Sequence, residues 1–301
     1  KCKHPYMAKK FFLANPWMLA FYIAWSSLPF YGSSVFDSAL SSRSNPVQVT
    51  TFIGLWLLWS IVLAVSLIPS ASLLTLFRVF VPISVVIAVL GSVESKLSIS
   101  SVLLLLATSL CTAVSSLPSV GFWFVNGSSY GDEVRIPLRP PGPLLLGPLP
   151  LAWALIASTL LLAPLLIASG RTFLSVIVVL AGGGMSIFAF RSLSALAMRW
   201  LVFVPAGVVL HDNMVSADPF LLRRNAITEI RPADRDTSGR DFTFSSLGLA
   251  LEVQLHEPAE LSLHMNPRLP PETVLVESFL IAPSLISATL DEARKRSIHA
   301  H

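Results

Sequence analysis

Charge is scarce in this sequence, and most of it lies at one end. Asp, Glu, Lys and Arg make up 13% of the 301 residues, against about 25% in soluble domains. With 53% apolar residues and a mean hydropathy of +0.71, the chain does not read as an ordinary globular domain. Cysteine is nearly absent. Cys2 lies near the start and Cys111 inside an apolar run, which excludes a disulfide framework and any cysteine-based metal spacing. Acidic residues are few in the first two thirds: residues 1–198 hold eleven Lys/Arg and four Asp/Glu, and residues 199–301 hold ten and thirteen. The pI of 9.3 therefore averages a basic, apolar region and a slightly acidic, polar one. The acidic third offers no basic surface for nucleic-acid phosphates.

What the first region has is long apolar runs. A membrane-crossing helix needs about 20 mostly apolar residues, and six segments meet that length: 11–31, 49–68, 73–93, 99–117, 149–168 and 172–190. Asn15, Pro16 and Pro29 shorten the clean core of the first. Loop charge sets orientation. With the N-terminus in the cytoplasm, Lys1, Lys3, Lys9, Lys10, Arg78, Arg135, Arg139 and Arg191 fall inside, and Arg43, Lys96 and Arg171 outside. Six spans then return the C-terminal third to the cytoplasm. The expected domains are a six-helix transmembrane domain over residues 1–198 and a cytoplasmic domain over 199–301.

The longest connection, 121–148, opens with Phe122-Trp123-Phe124, residues suited to the headgroup layer. It continues through the proline-rich run Pro137–Pro143. Proline favours extended backbone, so this stretch reads as a stiff connector on the membrane, with Pro140, Pro141 and Pro143 as candidate partner-docking residues. Asn126-Gly127-Ser128 matches a glycosylation sequon, but a cytoplasmic loop never meets the enzyme.

The last third is β-rich. Short apolar runs at 200–204 and 207–211 are split by Pro205-Ala206, and runs at 220–223, 226–230, 242–244 and 273–281 follow. Alternation over 247–256 and 261–265, folded about Glu257-Pro258-Ala259, predicts a hairpin. Pro283 suits the first position of a closing helix, with Ile286, Leu290 and Ala293 on one stripe and Arg294-Lys295-Arg296 at its C-terminal dipole.

From Arg199 to Asp236 the chain resembles the bacterial membrane-attached PH-like domain. A strand leaves the last helix, a second follows at 206–212, and Pro219–Ile230 has a polar step before an Ile-x-x-Ile pair. The resemblance covers about 100 of 301 residues. It implies a small bent barrel of about seven strands closed by one helix, used for binding or scaffolding, in a bacterial plasma membrane. The family's glycine after the second strand is replaced by Asp212-Asn213, and the lipid-binding lysines of eukaryotic relatives have no counterpart.

The motifs that suggest chemistry have simpler explanations. His256-Glu257-Pro258-Ala259-Glu260 with His264 beyond lacks the zinc-peptidase spacing, and Pro258 blocks the helix that motif needs. The hairpin instead pairs His256 with Glu260 and Glu252 with His264 on a wet face. His211-Asp212-Asn213 reads as a polar turn, since the sequence places no nucleophile beside it. Gly182-Gly183-Gly184 lacks the Lys of a phosphate loop. Small residues let helices approach closely in lipid, so all three are candidate helix-packing residues. Of Asp, Glu, Lys, Arg and His, the apolar runs contain only Arg78, close enough to a helix end to reach the interface. Ion and proton pathways ordinarily carry buried charge. The sequence therefore predicts a non-enzymatic accessory, scaffold or assembly subunit with no cofactor and no metal, whose partners are the bilayer and other membrane proteins. The rival reading is a transporter or lipid-handling protein for an uncharged or amphipathic substrate, suggested by Pro82 and Pro164 inside spans.

Overall fold

A computed structural model describes residues 15–216, 218–234, 236–263 and 272–301. They form two compact units, which the chain visits alternately. One holds residues up to Phe124 together with Ala152–Arg191; the other holds Val125–Leu151 and Ser192–His301. Packing thus assigns the proline-rich connection to the C-terminal unit, where the composition break at Arg199 does not.

The helical unit is built on α1 (Pro16–Leu40), α2 (Asn45–Leu67), α3 (Ala71–Glu94) and α4 (Ile99–Ser116), followed by the short α5 (Pro118–Asn126). After the short α6 (Gly142–Leu146), which belongs to the other unit, most of α7 (Pro148–Ala168) and α8 (Thr172–Ala197) completes it. Five of these helices, α2, α3, α4, α7 and α8, are long and apolar enough to cross a membrane. Helix α1 is long enough but interrupted by Ser26, Ser27, Ser33, Ser34 and Asp37. It starts at Pro16, where the Asn15 side chain accepts from the Trp17 N–H at 3.2 Å, and continues to Leu40 because nothing stops it before Ser41. The expected segment 11–31 is therefore displaced C-terminally, and residues 11–14 lie outside the described residues.

An aromatic chain fills the unit. Phe21 meets Phe77 at 4.9 Å, and Phe77 meets Phe124 at 5.0 Å. Trp123 and Phe124 are buried, not free to sit among headgroups, because α5 turns them inward. Each such ring pair contributes roughly 0.5–1.5 kcal/mol beyond its burial.

The β-rich unit holds two four-stranded sheets. β1 (Val134–Pro137), β2 (Trp200–Val204), β3 (Gly207–His211) and β4 (Phe220–Arg223) form an antiparallel sheet in that order. β5 (Ile227–Pro232), β7 (Leu251–Leu263), β8 (Glu272–Ile281) and the short β6 (Arg240–Asp241) form the second, ordered β5-β7-β8-β6. Helix α9 (Ile286–Lys295) buries Thr289 and Ala293, with Ile286 and Leu290 only half-buried. It begins at Ile286 rather than at Pro283, which instead bridges to Leu138.

Two expected elements differ. No hairpin forms at Glu257-Pro258-Ala259. β7 runs unbroken for 13 residues, and a bulge between Gln254 and Ala259 absorbs Pro258 against β8. The apolar residues on either side keep odd numbering, so one continuous strand buries Leu251, Val253, Leu261 and Leu263 alike. The run 242–244 is not a strand, because Phe244 and Ser245 adopt φ of 52° and 56°. There the chain curls round the proline-rich segment: Ser246 Oγ donates to the carbonyls of Pro140 at 2.9 Å and Arg139 at 3.2 Å.

Candidate functional site

The β-rich unit is organised by a buried ion pair. The two-residue turn at Pro205-Ala206 pairs Val204 with Gly207 and, at the far end, Trp200 with His211. That register places Arg199 opposite Asp212. Arg199 Nε and Nη2 donate to the two Asp212 carboxylate oxygens, each at 2.7 Å. Their side chains are 2% and 0% exposed. Asp212 also accepts from the Met214 N–H at 3.0 Å, and Arg199 Nη1 donates to the Arg139 carbonyl at 3.4 Å. The guanidinium sits over the Phe244 ring at 5.5 Å. Planar fork-to-fork geometry is the strongest form of this contact. The pair ties β2, β3, the 242–246 loop and the proline-rich segment together. His211-Asp212-Asn213 thus runs from the end of β3 into a turn with Asn213 exposed, and its Asp212 is buried against Arg199.

The same packing reaches the proline-rich strap, 137–143, that carries the three candidate docking residues. Pro141 is buried, Pro140 is half-buried with its carbonyl accepting from Ser246, and Pro143 alone is exposed. A Cβ on Gly142 would strike the Ser245 carbonyl. Arg139 donates to the Leu249 carbonyl, and burial lowers its pKa. The strap is an internal clamp because its backbone carbonyls find donors in its own unit.

The two edges of the first sheet differ. Arg135 on β1 donates its N–H to Asn126 Oδ1 at 2.9 Å, while Asn126 Nδ2 donates to the Arg135 carbonyl at 2.7 Å. The Asn126 amide thus stands in for a strand residue, which protects the edge and engages the sequon nitrogen. On β4, no strand pairs with the outer edge among the described residues, and Leu221 there is 48% exposed.

The second sheet bears a polar groove lined by Arg231, Thr237, Glu252, Glu277 and Ser278. Glu252 is buried. Burial pushes its carboxyl pKa up, but hydrogen bonds from Thr237, Ser278 and Arg231, with the charge of Arg231, outweigh this and hold it below the usual carboxylate range. Arg231 also lies 3.4 Å from Glu229 and 3.9 Å from Asp234. One guanidinium faces several carboxylates, so the groove suits hydrogen-bond donors and cations. His256 is exposed on the bulged stretch of β7, Glu252 faces Arg231 rather than a histidine, and His264 lies outside the described residues. No group of three or more metal-ligating side chains gathers among the described residues.

In the helical unit, Arg78 Nε donates to the Ser115 carbonyl at 3.3 Å, at the C-terminal end of α4 where the helix dipole is negative. The glycine run lies where α8 widens into a π turn, Val178–Gly182, a local irregularity common at functional sites. A Cβ on Gly182 would lie 2.8 Å from Thr159 Oγ1 of α7, so this glycine permits close α7–α8 packing. Gly183 and Gly184 have nothing within 4 Å of an added Cβ. The windows that define α7 and α8 as span candidates are each only 11% buried, against 44% for α3.

Comparison with protein-family models, curated proteins and solved structures finds no match to this chain.

Proposed function

We propose that the protein is a non-enzymatic accessory or assembly subunit of a larger membrane complex. The α7–α8 hairpin supplies its membrane contact, and a PH-like β-rich unit supplies its second contact. The observation that carries this reading is the open notch at Gly183 and Gly184. Each glycine inside a helix costs about 0.8–1.0 kcal/mol relative to alanine. Gly182 is compensated by the approach to Thr159; its two neighbours face open space on a hairpin that buries little of itself. Close packing of a helix from another subunit would offset that cost.

Seven strands and a closing helix after Arg199 support the PH-like reading. The unpaired edge of β4 suits strand addition by a partner protein. In this proposal α1 is a sixth span, held by its buried face of Phe21, Trp25, Leu28, Val35 and Phe36. Both the N-terminus and the β-rich unit then lie on the cytoplasmic side of a bacterial plasma membrane. The test is purification from native membranes in mild detergent. The proposal expects a defined complex containing other proteins at fixed stoichiometry, lost in Gly184→Leu while the variant itself stays folded. A chain that runs alone, or only with copies of itself, would overturn it.

A further inference from the structure

Between α1, α2, α3 and α4 lies an apolar cavity of about 140 Å3. Its inner wall is Trp25, Leu28, Phe36, Ala88 and Leu104, all buried. Its outer wall includes Trp56, 55% exposed on α2. The polar atoms around it are turned away. Trp25 Nε1 donates to the Trp59 carbonyl at 3.1 Å, and Trp59 Nε1 donates to the Trp25 carbonyl at 2.9 Å. This reciprocal clasp joins α1 to α2 beside the cavity. The hydroxyls of Ser33, Ser84 and Thr108 donate to carbonyls of their own helices.

We infer that this cavity holds a segment of one acyl chain from a bilayer phospholipid. Three observations select that occupant. No lining residue carries a charge, and of the six side-chain donors that line it the five above are engaged, leaving Trp56 Nε1 on the exposed outer wall; an ordered water needs two to four polar partners, so the wall favours an apolar guest. The volume suits a narrow apolar guest, since an engineered cavity of roughly 150 Å3 with aliphatic and aromatic walls admits benzene. Trp56, which lines the cavity, is itself exposed on a helix long and apolar enough to cross a membrane. The cavity is thus continuous with the surface that meets hydrocarbon. An empty void would forfeit dispersion contacts along its whole wall; a chain entering from the side restores them. Gly32 shapes the space: a Cβ there meets Phe36 at 3.6 Å and Leu104 at 4.0 Å, so a larger side chain fits the backbone and projects into the cavity. The inference rests on the membrane-spanning reading of these helices, but not on the partner-subunit proposal.

The test uses the full chain in nanodiscs of phosphatidylcholine carrying a diazirine at mid-chain, with labelled residues mapped by mass spectrometry. Labelling is expected at Leu28 and Leu104, buried residues reached only through the cavity, as well as at outward-facing Leu57 and Leu106. Gly32→Leu, or Ala88→Leu if the first does not fold, should cut labelling of Leu28 and Leu104 at least fivefold and leave Leu57 and Leu106 unchanged. Gly54→Leu, which meets nothing within 4 Å, should alter neither. Labelling confined to Leu57 and Leu106 in the wild type, or Leu104 labelling undiminished in the filled variant, would overturn the inference.

Discussion

Asp212→Asn isolates the charge of the buried ion pair with little change in shape. The variant keeps an oxygen for the Met214 N–H, which lies 3.0 Å from Asp212 Oδ1. It leaves the Arg199 guanidinium, 2% exposed, facing an uncharged amide. Removing one partner of a buried pair costs about 3–5 kcal/mol, because the remaining charge is stranded. At about 1.4 kcal/mol per decade this is a loss of roughly two to four powers of ten in the closing equilibrium of the local structure. The assay is amide hydrogen exchange of the full-length protein, read on peptides covering β2 and β3, whose protection reports the local opening free energy. The helical unit serves as an internal control, and its α3 peptides should be unchanged. Arg199→Met with Asp212→Leu removes both charges together and should restore most of the protection, since apolar replacements of buried pairs are often neutral or better. Less than a tenfold loss in Asp212→Asn, or a double variant no better than the single, would show that the pair does not organise this unit.

Further outcomes follow from the same geometry. Gly182→Leu should lower the stability of the purified chain by driving a side chain into Thr159, whereas Gly183→Leu should leave it unchanged; thermal unfolding in one detergent compares them. Because the folded-state pKa of Glu252 is depressed, its contribution is complete at neutral pH. It is lost only as pH falls through that lowered value; Glu252→Gln should lose stability at pH 7 and show a shallower acid limb, measured by urea unfolding at stepped pH. If both ends are cytoplasmic, a cysteine placed at Ser42 should react with an impermeant reagent in intact cells and one at Ser262 should not; the opposite pattern would invert the topology.

Much of the architecture was legible because it rests on composition. Apolar runs of span length and the change in charge at Arg199 located the helices and the β-rich third, and β2, β3, β4, β5 and β8 follow their apolar runs within a residue or two. The strand β7 was misread because Pro258 ordinarily ends a strand; only the partner strand, with room for a bulge, lets the chain continue. The stretch 121–148 was misread for a different reason. Its role as β1 and an internal clamp depends on donors and strands more than sixty residues away, which no local pattern encodes. The ion pair was within reach: a two-residue turn at Pro205-Ala206 fixes the register that sets residue 199 opposite residue 212. Of the candidate packing glycines, Gly182 lies against Thr159 and Gly183 and Gly184 meet nothing within 4 Å, a division that depends on the neighbouring helix and not on the run itself.

Site-specific photo-crosslinking in living cells reads directly whether the proposed packing of the α7–α8 hairpin against another protein occurs. A photoreactive residue at Met185, 60% exposed beside the glycine notch, is compared with one at Ile53 on α2, 56% exposed. The expected result is one discrete crosslink from Met185 to a different polypeptide, abolished by Gly184→Leu, and lipid adducts alone from Ile53. Lipid adducts alone from both positions, or a Met185 crosslink only to a second copy of this chain, would contradict it.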